Sequence, residues 1–204
     1  MAHIRYNMKT AIIKYNAGNI RSVLFALDRL GVQGTVTDDP EEIRAADKVI
    51  FPGVGEASTA MQYLQQRGLD KVITSLQQPV LGICLGLQLM CKHSEENDTP
   101  CLGIFDVEVK RFQSPVANLL KIPQIGWNNI AGLHSTIFER VPENSYMYFV
   151  HSYYAALAPE TVAIANYVVN YSAALQKDNF YAVQFHPEKS AEAGQKLLES
   201  FLKL

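Results

Sequence analysis

Apolar and polar positions along this chain follow two periods, and the first half switches regularly between them. Thr10 to Lys14, Gln33 to Thr37, Lys48 to Phe51 and Val80 to Ile83 are short, largely apolar runs of strand length. Helical spacing fills the gaps. Val23, Leu24, Leu27 and Leu30 define a helix starting near Asn19 or Arg21, with Gly31 as its stop signal. Glu41 to Ala46 predicts a short helix, Gly55 to Gly68 a longer one through Met61 and Leu64, and Leu85 to Met90 opens another. Strand and helix in alternation predict a mostly parallel sheet with helices on both faces.

The second half reads differently. Ile104 to Phe112, Trp127 to Ile130, Tyr146 to Tyr154, Thr161 to Tyr167 and Ala173 to Lys177 are short, alternating and aromatic-rich. They predict added, partly antiparallel strands, followed by Phe180 to Phe185 and a closing helix over Ala191 to Leu202. No repeat or low-complexity linker interrupts the chain. The fold class expected is a single α/β domain over residues 8–204, with residues 1–7 set apart as a leader or tag-like extension.

Composition narrows the classes. A chain of 204 residues that is 48% hydrophobic can bury one substantial core. A net charge of −2 without a lysine/arginine cluster argues against a nucleic-acid partner. Val80 to Met90 is too short and too interrupted by glycine and glutamine to span a bilayer, so no membrane association is expected. Three cysteines give no disulfide framework, which fits a reducing, cytoplasmic setting. Cys91 is expected in the core, Cys101 is expected to be incidental, and His93 and His134 are expected to be surface groups. No Cys/His pair has metal-ligand spacing, so neither a metal nor a cofactor is expected.

One of these cysteines carries chemistry. Cys84 stands where the run Val80 to Ile83 meets the helix of Leu85 to Met90, with Gly82 and Gly86 two residues to either side. A sharp strand-to-helix turn of this form presents its central side chain as a nucleophile and needs glycine where neighbouring backbone crowds in. It also aims the positive end of a helix at the sulfur, which favours thiolate over thiol. An ordinary half-buried cysteine is the bland alternative. Much later come His186, Pro187 and Glu188. The proline disfavours helix at His186, and an extended chain would set Glu188 beside the imidazole. Cysteine, histidine and an orienting carboxylate are the parts of a nucleophilic triad. Cys84, His186 and Pro52-Gly53 each end a strand, which puts all three on one rim of the sheet.

Gly-Ile-Cys-Leu-Gly-Leu-Gln with Gln-Phe-His-Pro-Glu resembles the class I, or triad, glutamine amidotransferases. Further segments narrow the resemblance to the glutaminase subunits of imidazole glycerol phosphate synthases. These are Tyr15 to Val23, Phe51 to Glu56, Pro123 to Asn128, Tyr148 to Tyr153 and His186 to Ser190. Related amidotransferases carry other residues at Gly53-Val54 and Trp127-Asn128. The resemblance runs from Met8 to the C-terminus and implies hydrolysis of L-glutamine to glutamate and ammonia. It implies oxyanion donors at Leu85 and at Gly53 or Val54, and glutamine contacts at Gln88, Glu96, His151, Ser152 and Tyr153. It also implies a (β/α)8-barrel cyclase partner, which takes the ammonia to make imidazole glycerol phosphate and AICAR in histidine biosynthesis. Asn16, Asn19, Trp127, Asn128, Tyr148 and Lys189 would lie at or near that interface. Trp127 could equally be a core anchor, and Glu96 a solvated helix end. The competing readings are a glutaminase for anthranilate, aminodeoxychorismate or pyridoxal phosphate synthesis, a cysteine peptidase or DJ-1-like protein, and a binding module without catalysis. The stretch Gln113 to Lys121 is longer than adjoining strands require.

Overall fold

Four apolar runs in the first half become the parallel heart of a sheet. The computed structural model describes residues 8–15, 18–113 and 120–204. Residues 1–7, expected above to be a leader or tag-like extension, Asn16 and most of the Gln113 to Lys121 stretch lie outside the described residues. In chain order the first elements are β1 (Thr10–Ile13), α1 (Ile20–Arg29), β2 (Gly34–Thr37), α2 (Pro40–Arg44), β3 (Lys48–Gly53), α3 (Ala57–Gln66) and α4 (Leu69–Thr74). Then come β4 (Val80–Cys84), α5 (Leu85–Met90), β5 (His93–Ser94), β6 (Thr99–Pro100), β7 (Glu108–Arg111) and β8 (Gln124–Asn129). The remainder is β9 (Tyr146–His151), β10 (Tyr153–Ala155), β11 (Thr161–Tyr167), β12 (Val169–Lys177), β13 (Phe180–Val183) and α6 (Ala191–Leu202). Short 3₁₀ turns cover Thr136–Phe138 and Pro187–Lys189.

Strands run in the order β2-β1-β3-β4-β13-β12-β10-β7-β5-β6, with β11 on β12. From β2 to β13 every pairing is parallel; β12, β10 and β7 continue antiparallel. The hairpin β8–β9 forms a separate two-stranded sheet. Alternate residues of the parallel strands feed two cores. Ala11, Ile13, Val49 and Phe51 pack with α3, α4 and α5, while Ile12, Ile50, Leu81 and Ile83 pack with α1, α6 and the inner face of β9. Both faces are therefore covered, as near-continuous apolar strands require.

Several boundaries differ from expectation, each for a local reason. Gly68, in the left-handed region at φ 66°, ends α3 as expected but then starts α4, which the pattern did not predict. The run Ile104 to Phe112 keeps only Glu108–Arg111 as strand, and Tyr146 to Tyr154 breaks at Ser152 into two strands on different sheets.

Candidate active site

The turn at Cys84 is a strained one. Cys84 ends β4 with φ 55° and ψ −107°, a conformation costly for a residue with a Cβ and met chiefly at functional sites. Close packing around the turn explains the flanking glycines. A Cβ on Gly86 would stand 1.9 Å from the Phe51 carbonyl oxygen of β3, so α5 can lie against the sheet only with glycine there. At Gly82 the nearest obstacle is the movable Met90 sulfur, at 2.8 Å.

The parallel register sets His186 beside that turn. β13 pairs with β4, so the chain leaving Val183 emerges next to Cys84. The His186 N–H donates to the Tyr148 carbonyl of β9 at 2.9 Å, and the chain then turns. Glu188 reaches the ring through the 3₁₀ turn Pro187–Lys189 rather than along an extended strand, so the expected reason for their meeting was wrong although the meeting occurs. Proline suits the first position of such a turn because its missing N–H is not needed there. His186 Nδ1 donates to Glu188 Oε1 at 2.7 Å, and both side chains are almost wholly buried. Burial alone would pull the His186 pKa down. Hydrogen bonds to Cys84 and Glu188, with their negative charge, outweigh it and push the ring up to about 10.

Sequence reasoning missed two members of this cluster. Asn19 Nδ2 donates to Glu188 Oε1 and lies 3.3 Å from His186 Nδ1. Gln184, fully buried, donates from Nε2 to Cys84 Sγ at 3.7 Å. Gln184 was visible inside the Gln-Phe-His-Pro-Glu string, but its strand-end position alone did not say which way its amide points.

A cavity of about 270 Å³ opens onto Cys84, walled by Val54, Gly55, Leu85, Gln88, Glu96, Pro123 and the segment Val150 to Tyr153. Seven of the eight predicted glutamine or oxyanion residues, all but Gly53, thus line one cavity with the sulfur. Gly53 lies behind it, fully buried and paired with Cys84 across the β3–β4 ladder. Gln88 Nε2 donates to the Tyr153 carbonyl at 3.0 Å and to Gln184 Oε1 at 3.1 Å. Both its amide hydrogens are thereby used, leaving its oxygen for the cavity. Glu96 is not a helix end: it sits between β5 and β6 and accepts the Ala57 N–H at the start of α3 at 2.8 Å. Burial raises its pKa against that bond. His151 donates from Nδ1 to the Tyr153 carbonyl at 2.7 Å, and burial lowers it to about 4, so it is a neutral scaffold for the pocket wall.

The other predicted positions divide. Trp127 is 53% exposed and is no core anchor; it packs edge-on against Tyr148 at 5.9 Å, and exposed Lys189 lies over the Tyr148 ring at 6.0 Å. Asn128 points the other way and donates to the Asn166 carbonyl. Cys91 is buried and bonded to the Leu87 carbonyl, as expected. His93 is not a free surface group, since it bridges Asp98 and Glu108. A larger hollow of about 690 Å³ beside Met8 to Ala11 shares no lining residue with the Cys84 cavity.

Comparison with known proteins identifies the family. The sequence profile of the family described as glutamine amidotransferase class-I matches residues 11–204. An imidazole glycerol phosphate synthase subunit HisH from Bacteroides fragilis is 57% identical over 97% of this chain and 100% of its own length. The HisH subunit of Haemophilus influenzae is 46% identical over 94% and 96%. Among solved structures, a glutamine amidotransferase superposes with a TM-score of 0.71 at 17% identity, covering 95% of this chain and 97% of its own. PurLQS from Thermotoga maritima gives 0.67 at 16%, covering 96% and 98%. These two speak for the fold alone.

Proposed function

We propose, for a chain that belongs to the class-I glutamine amidotransferase family and to its HisH branch, a mechanism in which Cys84, His186 and Glu188 hydrolyse glutamine. As a member of that branch the chain is the glutamine amidotransferase subunit of imidazole glycerol phosphate synthase, an enzyme of histidine biosynthesis. The observation that carries the mechanism is the buried His186–Glu188 pair, brought by the β4–β13 register beside Cys84, whose sulfur opens onto a cavity of about 270 Å³.

Cys84 sulfur attacks the side-chain amide carbon of glutamine, and the oxygen takes up negative charge. The N–H of Leu85, at the first turn of α5, and that of Val54 are the candidate donors to that oxygen. Loss of one such donor typically removes about 3 kcal/mol of transition-state stabilisation. His186 then gives its proton to the nitrogen as the C–N bond breaks, releasing ammonia and leaving a γ-glutamyl thioester. Glu188 keeps the ring oriented and favours its charged form. Water then adds to the thioester carbonyl, its proton passing to His186, and the C–S bond breaks with its electron pair returning to Cys84 sulfur as glutamate leaves. Gln88 through its free oxygen and Glu96 through its carboxylate would receive the α-amino end, with Ser152 and Tyr153 closing the wall.

Ammonia released into water would be protonated and lost as a nucleophile, so a partner that takes it directly is part of the reading. The HisH relatives are named as subunits of imidazole glycerol phosphate synthase, which supports a (β/α)8-barrel cyclase as that partner. The outward face of β8–β9 supports the docking side: Ile125, Trp127 and Tyr146 are more than half exposed. The cytoplasm, where thiols stay reduced, is the proposed setting.

The test measures glutamate release with and without the cyclase. Wild type is expected to turn over slowly alone and faster when docked. Cys84→Ala should lose glutamine-dependent synthesis by the complex while ammonia-dependent synthesis persists. Glutamine use that survives the substitution would remove Cys84 from the mechanism.

A further inference from the structure

A carboxamide has two ends, and which end of Gln184 faces Cys84 decides what it does to the sulfur. Three contacts fix the answer. The Tyr153 backbone carbonyl can only accept, so the Gln88 atom 3.0 Å from it must be Nε2. That same Nε2 lies 3.1 Å from Gln184, so the Gln184 atom facing it must be the oxygen. Gln184 is fully buried and cannot reverse without setting two N–H groups, or two oxygens, against each other. Its Nε2 is therefore turned toward Cys84 Sγ, at 3.7 Å. The backbone holds the residue still: the Gln184 N–H donates to the Ala173 carbonyl at 2.9 Å, continuing the β12–β13 ladder.

We propose that Gln184 is a hydrogen-bond donor to the attacking sulfur, aimed by Gln88 and the Tyr153 carbonyl, and that it stabilises the thiolate form of Cys84. The inference rests on the reading of Cys84 as nucleophile and deepens it. In the resting site the donor lowers the energy of negative sulfur. It acts again in hydrolysis of the thioester: water adds to the carbonyl, its proton goes to His186, and the C–S bond breaks with its electron pair staying on sulfur. An N–H aimed at that atom favours its departure. Gln88 thereby serves two tasks, its oxygen toward the cavity and its nitrogen as a positioning group for Gln184.

The test reads sulfur ionisation directly. Iodoacetamide alkylation of the Cys84 peptide, followed by mass spectrometry across pH with Cys84→Ala as blank, gives a midpoint for the thiol. Gln184→Glu keeps the shape and the acceptor for Gln88 but loses the donor; Gln184→Met loses both. Each is expected to move the midpoint up by about one pH unit or more, the size of a hydrogen bond to a charged group. Gln88→Leu, which frees Gln184 to turn, should shift it in the same direction by less. Should a Gln184 variant fail to fold, the Gln88→Leu midpoint still decides. Midpoints unchanged from wild type in the folded variants would overturn the proposal. Because alkylation needs no glutamine, the result stands apart from whether glutamine is the substrate.

Discussion

Asn19 shows how much one side chain can be committed to a neighbour's chemistry. It opens α1 in the left-handed region at φ 75°, a conformation asparagine tolerates better than most residues. Its side chain does not cap its own helix; it donates instead to Glu188 Oε1. Since His186 Nδ1 also donates to that oxygen, the 3.3 Å approach of Asn19 to the ring is contact between two donors, and the carboxylate receives both. Removing one donor from a buried carboxylate loosens the group that orients the ring. Asn19→Ala is expected to lower glutaminase kcat by about one to two orders of magnitude, with KM little changed. Asn19→Asp should be worse, because it sets a second carboxylate against Glu188. Both are measured at saturating cyclase, so that weakened docking does not enter; an unchanged kcat in both would release Asn19 from this role. Cys84, His186 and Glu188 were legible in the sequence because each sits in a short string whose residue types state their chemistry. Asn19 was legible only as an interface residue, since its partner lies 169 positions away and nothing local points to it.

Among the elements, the contact between α5 and β3 sets the geometry of the turn at Cys84. Phe51 lies two residues before Gly53, and its carbonyl touches the place where a Gly86 side chain would be. Gly86→Ala must therefore push α5 away from β3, disturbing the Leu85 and Val54 amides together. Overpacking of this kind costs about 1–3 kcal/mol, seen as a fall in Tm of several degrees. At Gly82 an added Cβ meets the movable Met90 sulfur at 2.8 Å and the α5 backbone at Gly86 and Leu87 at 3.1 Å, milder than the 1.9 Å clash at Gly86, so Gly82→Ala should cost less. Equal losses at the two positions, read by thermal unfolding, would contradict this account of the turn. The parallel strands were predictable because burial on both faces leaves an unbroken apolar run. β5 and β6 were not, because two-residue strands carry no period, and α4 was not, because Gly68 reads as the end of one helix and not also as the start of the next. The His186 to Glu188 segment was misread as extended because proline restricts the residue before it yet is equally at home beginning a 3₁₀ turn.

Across the whole molecule, the β8–β9 hairpin links the exposed face to the loop that carries His186 and Glu188. Cross-strand pairs Ile125 with Val150, Trp127 with Tyr148 and Asn129 with Tyr146 point outward, while Met147 and Phe149 anchor the inner face in the core. At Tyr148 the strand β9 accepts the His186 N–H on its carbonyl and donates its own N–H to the Ser190 hydroxyl, so the hairpin and the histidine loop are one hydrogen-bonded unit. Alternation in Tyr146 to His151 predicted a strand with two unlike faces, but only the fold shows which face stays open. If a partner seats on that open face, its anchors are the aromatic side chains that lose most water on contact. Trp127→Ala should weaken cyclase binding by tenfold or more, at about 2 kcal/mol for a central aromatic anchor. The isolated chain should keep its Tm and its Cys84 alkylation profile, because Trp127 supports neither core nor sulfur. Titration of each variant against the cyclase, beside thermal unfolding alone, separates the two effects. A loss of Tm without a loss of affinity would return Trp127 to a structural role and move the docking surface elsewhere.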